Sequence, residues 1–171
     1  NEVIPEILGA YEHTGKSVDI APPETCPYCG APVREEGANL FCTNKNCRPR
    51  IAAQLANFAS KGAMDIEGFS EMTAYLLYDE LGVRHYSDLY DLDKDRLSKL
   101  EGFGDKKIKN LLSAIAASKN VPLDRFLFAL GIDGIGKVAS KDLAERFKSV
   151  EALSEATAEE LVEMEDIGEK T

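Results

Sequence analysis

All four cysteines of the chain fall within 22 positions: Cys26-Pro27-Tyr28-Cys29, then Cys42-Thr43-Asn44-Lys45-Asn46-Cys47, with twelve residues between the two groups. Thiols spaced C-x2-C and C-x4-C can do two kinds of chemistry. They can exchange disulfides, or they can ligate a soft metal ion. Exchange of the glutaredoxin type places the tetrad after a buried strand, with the second cysteine in the first turn of a helix whose dipole lowers the nucleophile's pKa. Here Ala21-Pro22-Pro23 precedes the tetrad and Gly30-Ala31-Pro32 follows it, so neither flanking element can form unbroken.

Two short knuckles suit a metal. Each turn lets two thiolates converge on one ion, and Gly30 allows the chain to double back after Cys29. Residues 33–41 carry a turn at Glu36-Gly37-Ala38-Asn39 between short extended segments, which predicts a β-hairpin zinc ribbon. Four thiolates close a structural tetrahedron around Zn2+ and leave no position for a catalytic water. Cys26, Cys29, Cys42 and Cys47 are therefore the expected ligands of one zinc ion, which folds a segment too small to fold by itself. Two disulfides and a rubredoxin-like iron site are the competing readings, although the second knuckle, C-x4-C without a following Gly, departs from the iron pattern.

Beyond Cys47 the chain must supply helices. Residues 48–61 place Ile51, Leu55, Phe58 and Ala59 at helical spacing and stop at Gly62. A five-residue pattern then recurs: Ile66-Glu67-Gly68-Phe69-Ser70, Leu100-Glu101-Gly102-Phe103-Gly104, Ile132-Asp133-Gly134-Ile135-Gly136 and Met164-Glu165-Asp166-Ile167-Gly168, at intervals of 34, 32 and 32 residues. Such a period marks stacked helical units. Before the second copy, residues 93–100 read as a short helix. After it, Asp105 is expected to cap a helix with Ile108, Leu111, Leu112 and Ile115 on one face. Before the fourth copy, Thr157-Ala158-Glu159-Glu160 reads as a capping box. The unit is helix, tight Gly-x-Gly turn, helix, with Phe103, Ile135 and Ile167 expected to be buried as anchors.

Two glycines bring backbone close to an external surface, and the amides opening the second helix point outward with the positive end of its dipole. That makes a phosphate seat blind to base sequence. Lys106 and Lys107 after the second copy, and Lys137 and Lys141 after the third, add cations beside it. The net charge of −10 hides this. Residues 94–148 carry twelve Lys/Arg against seven Asp/Glu, while 61–93 carry two against eight and 149–171 one against eight. Local charge is what a phosphate meets within a Debye length of ~10 Å. The composition, 44% hydrophobic, is that of a folded chain, and no apolar run reaches the ~18 residues of a membrane span. The chain opens on Asn1 rather than Met and stops at the start of a helix, so it reads as a fragment of a larger protein.

The repeated unit resembles the helix-hairpin-helix motif. A four-thiolate ribbon of this spacing followed by four such motifs as two pairs resembles the C-terminal part of bacterial NAD-dependent DNA ligases, and the likeness covers essentially the whole chain. Glu2-Val3-Ile4-Pro5-Glu6-Ile7-Leu8-Gly9, Met64-Asp65-Ile66-Glu67-Gly68, Leu127-Phe128-Ala129-Leu130-Gly131-Ile132 and Cys26-Pro27-Tyr28-Cys29-Gly30 carry it together. The resemblance implies a mainly α fold: residues 1–22 closing an oligonucleotide-binding (OB) domain, 23–48 a four-cysteine zinc finger, and 49–171 a helix-hairpin-helix domain with a truncated fourth motif. It implies a parent enzyme that seals nicks in DNA replication and repair through attack of a lysine on NAD, transfer of AMP to the 5′-phosphate and displacement by the 3′-hydroxyl. NAD and Mg2+ would serve that parent elsewhere; the family's Lys-x-Asp-Gly adenylation motif does not occur here, so no catalytic residue is carried over. What carries over is the zinc quartet and Gly68, Gly102, Gly104, Gly134 and Gly136 as contacts to the backbone of nicked double-stranded DNA.

Ser70 stands where the first repeat should have its second Gly, and Asp166 where the fourth should have its first. The resemblance further implies a monomeric, cytoplasmic, nucleoid-associated bacterial protein whose partners are DNA and the rest of its own polypeptide, with no membrane. A protein-interaction scaffold and a different helix-hairpin-helix repair protein are the alternatives. His13 and His85, far apart, read as surface or packing residues.

Overall fold

The structure is a computed structural model that describes Leu8, Gly9, Gly15, residues 21–164, Ile167 and Gly168. Most of the expected OB-closing stretch, His13, Glu165 and Asp166 lie outside the described residues. Backbone packing divides the chain into two units, Asn1–Thr43 and Asn44–Thr171.

In the first unit, β1 (Val33–Glu36) pairs antiparallel with β2 (Asn39–Cys42), Val33 opposite Cys42 and Glu36 opposite Asn39. Gly37 has φ +61, and Ala38 is not among the positive-φ residues, so the two-residue loop has the glycine-first arrangement that matches the twist of paired strands. None of the eight strand residues is buried. A lone hairpin with so little apolar cover is marginal in water, so something besides packing must hold it.

The second unit is helical: α1 (Arg48–Ala59), α2 (Glu71–Leu81), a 3-10 helix (Tyr86–Asp91), α3 (Lys94–Leu97), α4 (Asp105–Ser118), α5 (Leu123–Ala129), α6 (Lys137–Phe147), α7 (Val150–Ser154) and α8 (Ala158–Val162). The apolar spacing read from α1 is its buried face: Ile51, Leu55, Phe58 and Ala59 all join the main core with Leu77, Leu89 and Leu97. A smaller cluster gathers Leu127, Leu143 and Ile167. Tyr86 stacks on Phe58, ring centroids 4.3 Å apart, and donates its hydroxyl to the Leu130 carbonyl at 3.3 Å. Burial raises the Tyr86 pKa above its ordinary value.

Local boundaries differ from expectation where capping decides. The first helix ends at Ala59, with Ser60 as its C-cap, rather than running on to Lys61. The segment read as a helix over 93–100 is shorter, because Asp93 is an N-cap accepting from the Arg96 amide at 2.8 Å and the helix proper is Lys94–Leu97. Asp105 does not cap α4. Gly104 holds the N-cap position, Asp105 is the first helical residue, and its carboxylate lies 3.0 Å from Lys94 Nζ. Phe103 and Ile167 are buried as expected, whereas Ile135 is only half-buried against the smaller cluster. The Thr157 capping box is present, with Thr157 and Glu160 satisfying one another's amides.

The repeats share one turn. The amide of the fourth residue donates to the carbonyl of the first: Phe69 to Ile66 at 3.2 Å, Phe103 to Leu100 at 3.2 Å, Ile135 to Ile132 at 3.0 Å and Ile167 to Met164 at 3.1 Å. In the first three repeats the third residue of this turn is at positive φ: Gly68 at +81, Gly102 at +76 and Gly134 at +83. The fifth residue is the N-cap of the next helix and is ordinary in φ: Ser70 at −122, Gly104 at −76 and Gly136 at −86. Gly102→Ala should therefore cost about 1–2 kcal/mol from the left-handed backbone alone. Gly104→Ser, at an N-cap with open space around it, should stay within ~0.5 kcal/mol of the unmodified chain. Urea unfolding of the two variants checks the contrast.

Candidate metal knuckle and nucleic-acid interface

The thiols of Cys26, Cys29, Cys42 and Cys47 all lie within 4.8 Å of one another. Cys29 and Cys42 Sγ are 3.5 Å apart, close to the ~3.8 Å edge of a tetrahedron with Zn–S near 2.3 Å. Backbone turns make the convergence. The Cys26 amide donates to the Ala31 carbonyl at 2.8 Å and the Gly30 amide to the Cys26 carbonyl at 2.9 Å, with Gly30 at φ +70. On the other knuckle the Cys47 amide donates to Asn44 O, and the Asn46 amide to Asn44 Oδ1 at 2.9 Å. The structure holds the four as thiols, not as disulfide pairs, and their spacing fits a closed metal site such as that of zinc.

The second knuckle is anchored to α2. Tyr78 donates its hydroxyl to the Asn46 carbonyl at 3.0 Å, and Arg48 grips Asp79 through two bonds of 2.7 and 2.5 Å with its guanidinium 4.3 Å above the Tyr75 ring. The Arg48 hydrogen bond holds the Asp79 carboxyl below its ordinary pKa, and the same bond raises that of Arg48. The pair is well exposed, so its weight lies in geometry more than in energy.

Of the residues expected at a nucleic-acid surface, Gly68, Gly104, Lys106 and Lys107 line one shallow concavity, together with Glu67, Asp105 and Asn110. The first and second hairpin turns therefore share a face. Gly134, Gly136, Lys137 and Lys141 belong to the third hairpin and line none of it. All four lysines are exposed, but they are not equivalent. Lys107 Nζ sits 3.8 Å over the Phe103 ring, Lys141 lies 3.7 Å from Glu145, and Lys137 turns back towards Phe128 and Gly62.

The two classes of glycine separate cleanly. At Gly104 and Gly136 φ is unexceptional and an added Cβ would meet nothing within 4 Å, so neither backbone conformation nor packing within the chain calls for glycine there. No side chain caps α4 or α6 either. In the first repeat Ser70 Oγ accepts from the Thr73 amide at 3.2 Å, filling the position that Gly104 and Gly136 leave bare. The departure at Ser70 is thus compatible with the turn, since only the third position needs positive φ. Asn110 escaped sequence reading; its one signal is its place on α4 six residues beyond Gly104.

Among the described residues no helix is long and apolar enough to cross a membrane. A family profile described as a SAM-like helix-hairpin-helix tandem matches residues 60–117, and one described as a helix-hairpin-helix motif matches residues 125–171. The DNA ligase of Alkaliphilus oremlandii is 46% identical over 171 residues, covering 99% of this chain and 26% of the relative. That of Clostridium novyi is 47% identical over 171 residues with the same coverage. DNA ligase 1 of Clostridium acetobutylicum is 45% identical over 170 residues, 98% of this chain and 26% of the relative. The chain spans about a quarter of the length of these relatives.

Elemental analysis should find one zinc per chain in protein purified without chelator, and Cys47→Ser should lower both the zinc content and the resistance of residues 23–47 to proteolysis. The helical signal in circular dichroism should persist, because the main core does not draw on the thiols.

Proposed function

We propose, from the premise that this chain is a segment of a DNA ligase built around helix-hairpin-helix units, that it is the portion of an NAD-dependent, nick-sealing enzyme that grips double-stranded DNA. The parent would act in replication and repair, and adenylation with NAD and Mg2+ would belong to its other parts. Residues 1–22 close the OB domain, 23–48 form the zinc finger and 49–171 the hairpin domain. Zinc on Cys26, Cys29, Cys42 and Cys47 keeps the small ribbon folded; it supplies no reaction chemistry.

The observation that carries this is glycine without an internal reason at positions 104 and 136. What excludes a side chain there is a surface outside the chain. A phosphodiester backbone fits, because uncapped amides at the starts of α4 and α6 donate to phosphate oxygens with the helix dipole behind them. Gly102 and Gly134 hold the turns that aim those amides, and Gly68 completes the face beside Gly104. Lys106, Lys107, Lys137 and Lys141 contribute charge, so binding responds to salt while ignoring base sequence. The fragment acts as a monomer on nicked duplex, in a bacterial cytoplasm at the nucleoid.

The test is fluorescence anisotropy with nicked duplex, intact duplex and single strand across a salt series. Duplex binding should weaken steeply with salt, and Gly104→Ser with Gly136→Ser should weaken it at least tenfold, about 1.4 kcal/mol, while the fold stays as stable as before. Absence of duplex binding at low salt would sink the proposal. Unchanged affinity in the double variant would remove the glycines from it.

A further inference from the structure

Arg125, on α5 of the third hairpin, reaches more than sixty residues back along the chain. Its Nε donates to the Ala63 carbonyl at 2.9 Å and its Nη2 to the Lys61 carbonyl at 2.8 Å, with Nη2 3.7 Å from Asp65 Oδ2. All three acceptors lie in the loop that ends α1 and leads into the first hairpin turn. That loop is tightly wound: the Ala63 and Asp65 amides donate to Ser60 O, the Met64 amide to Phe58 O, and Asp65 sits at φ +55, left-handed for a residue with a side chain. Winding the amides inward leaves the Lys61 and Ala63 carbonyls in need of donors from elsewhere. A planar guanidinium answers two carbonyls and a carboxylate from one rigid fork, which an ammonium cannot do with the same direction.

A second residue of the third hairpin reaches the same loop. A Cβ on Gly62 would lie 3.1 Å from Lys137 Nζ and 3.3 Å from its Cε, and the Lys137 ammonium is 5.4 Å from the Phe128 ring centroid. Gly62 thus leaves room for the Lys137 side chain. Tyr86 adds its hydrogen bond to the Leu130 carbonyl.

We infer that Arg125 is a positioning residue: it locks the first pair of hairpins to the third, so that the turns at Gly104 and Gly136 meet a duplex at one fixed separation. This rests on the DNA-binding function proposed above. Two weak backbone seats held rigidly bind one duplex as a single bivalent site, because engaging the first raises the effective concentration of the second. Let the hinge between them loosen, and each seat binds by itself. Nothing in the composition of α5 advertises this. Arg125 would pass for one more surface cation.

The experiment uses the full chain and two duplexes, one long enough to meet both turns and one half that length. The unmodified chain should bind the longer duplex at least tenfold more tightly. Arg125→Ala should abolish that advantage and reduce the salt slope on the longer duplex to that on the shorter, with short-duplex affinity unchanged; Arg125→Lys should restore little. If both affinities stay as they were, or both fall together, Arg125 does not set the spacing and the inference is overturned. Hydrogen exchange without DNA separates this outcome from failure of the DNA-binding function itself. In Arg125→Ala, residues 60–66 should lose protection while α2 and α6 keep theirs. A chain that binds no DNA yet shows that change would retain the lock and refute the function; unchanged protection would refute the lock.

Discussion

The hydrogen bond from Phe103 N to Leu100 O, repeated in three other places, is the constraint on which the helical unit is organised. In the form of the turn used here the third residue is left-handed, and Gly68, Gly102 and Gly134 accept that backbone without the steric cost a Cβ would add. The turn then does two things at once. It drives an apolar side chain, Phe103 or Ile167, down into a core, and it releases the next residue as the N-cap of a helix with unexceptional backbone angles. Core formation and presentation of helix amides are consequences of one turn.

Because the strain is confined to the third position, the fifth is left to be decided by its surroundings. Ser70 shows what happens when a hydroxyl is present: the helix caps itself, and an amide that could have met an external anion is used internally. Gly104 and Gly136 do the opposite and leave the helix ends to the exterior. The hairpins are therefore alike in fold and unlike in what they offer to a partner. Similarity of the repeats is a statement about packing; in the proposed function, the difference at one residue bears on binding.

The pattern of apolar, acidic, Gly, apolar, Gly made the turns legible in the sequence, since each position has a separate physical demand. The cysteine knuckles were legible for the same reason, three flanking prolines and a glycine leaving little else for the chain to do around them. Element boundaries were less so. Asp105 looked like a cap because Asp commonly is one, yet the turn's geometry had already assigned the cap to Gly104. Ile135 and Ile167 occupy the same place in the pattern and join the same small cluster, yet Ile135 is half-covered and Ile167 buried, a difference the pattern does not encode. Lys137 and Arg125 were unreadable, because what fixes them lies more than sixty residues away and is mostly backbone.

For the proposed contact with a polyanion, a net charge of −10 poses an electrostatic problem that local placement would have to resolve. Screened at ~10 Å, the acidic stretches 61–93 and 149–171 act only where they are near. Beside the turn at Gly104, Lys106 and Lys107 share the concavity with Gly68, Glu67 and Asp105, and Asp105 lies 3.0 Å from Lys94. Such an arrangement gains little from long-range attraction and depends on close, correctly aimed donors. Contact made by backbone amides cannot be shifted by rotating a side chain, so its quality is set by how rigidly the hairpins are held. Under the proposed function, rigid packing between hairpins would supply what the net charge withholds.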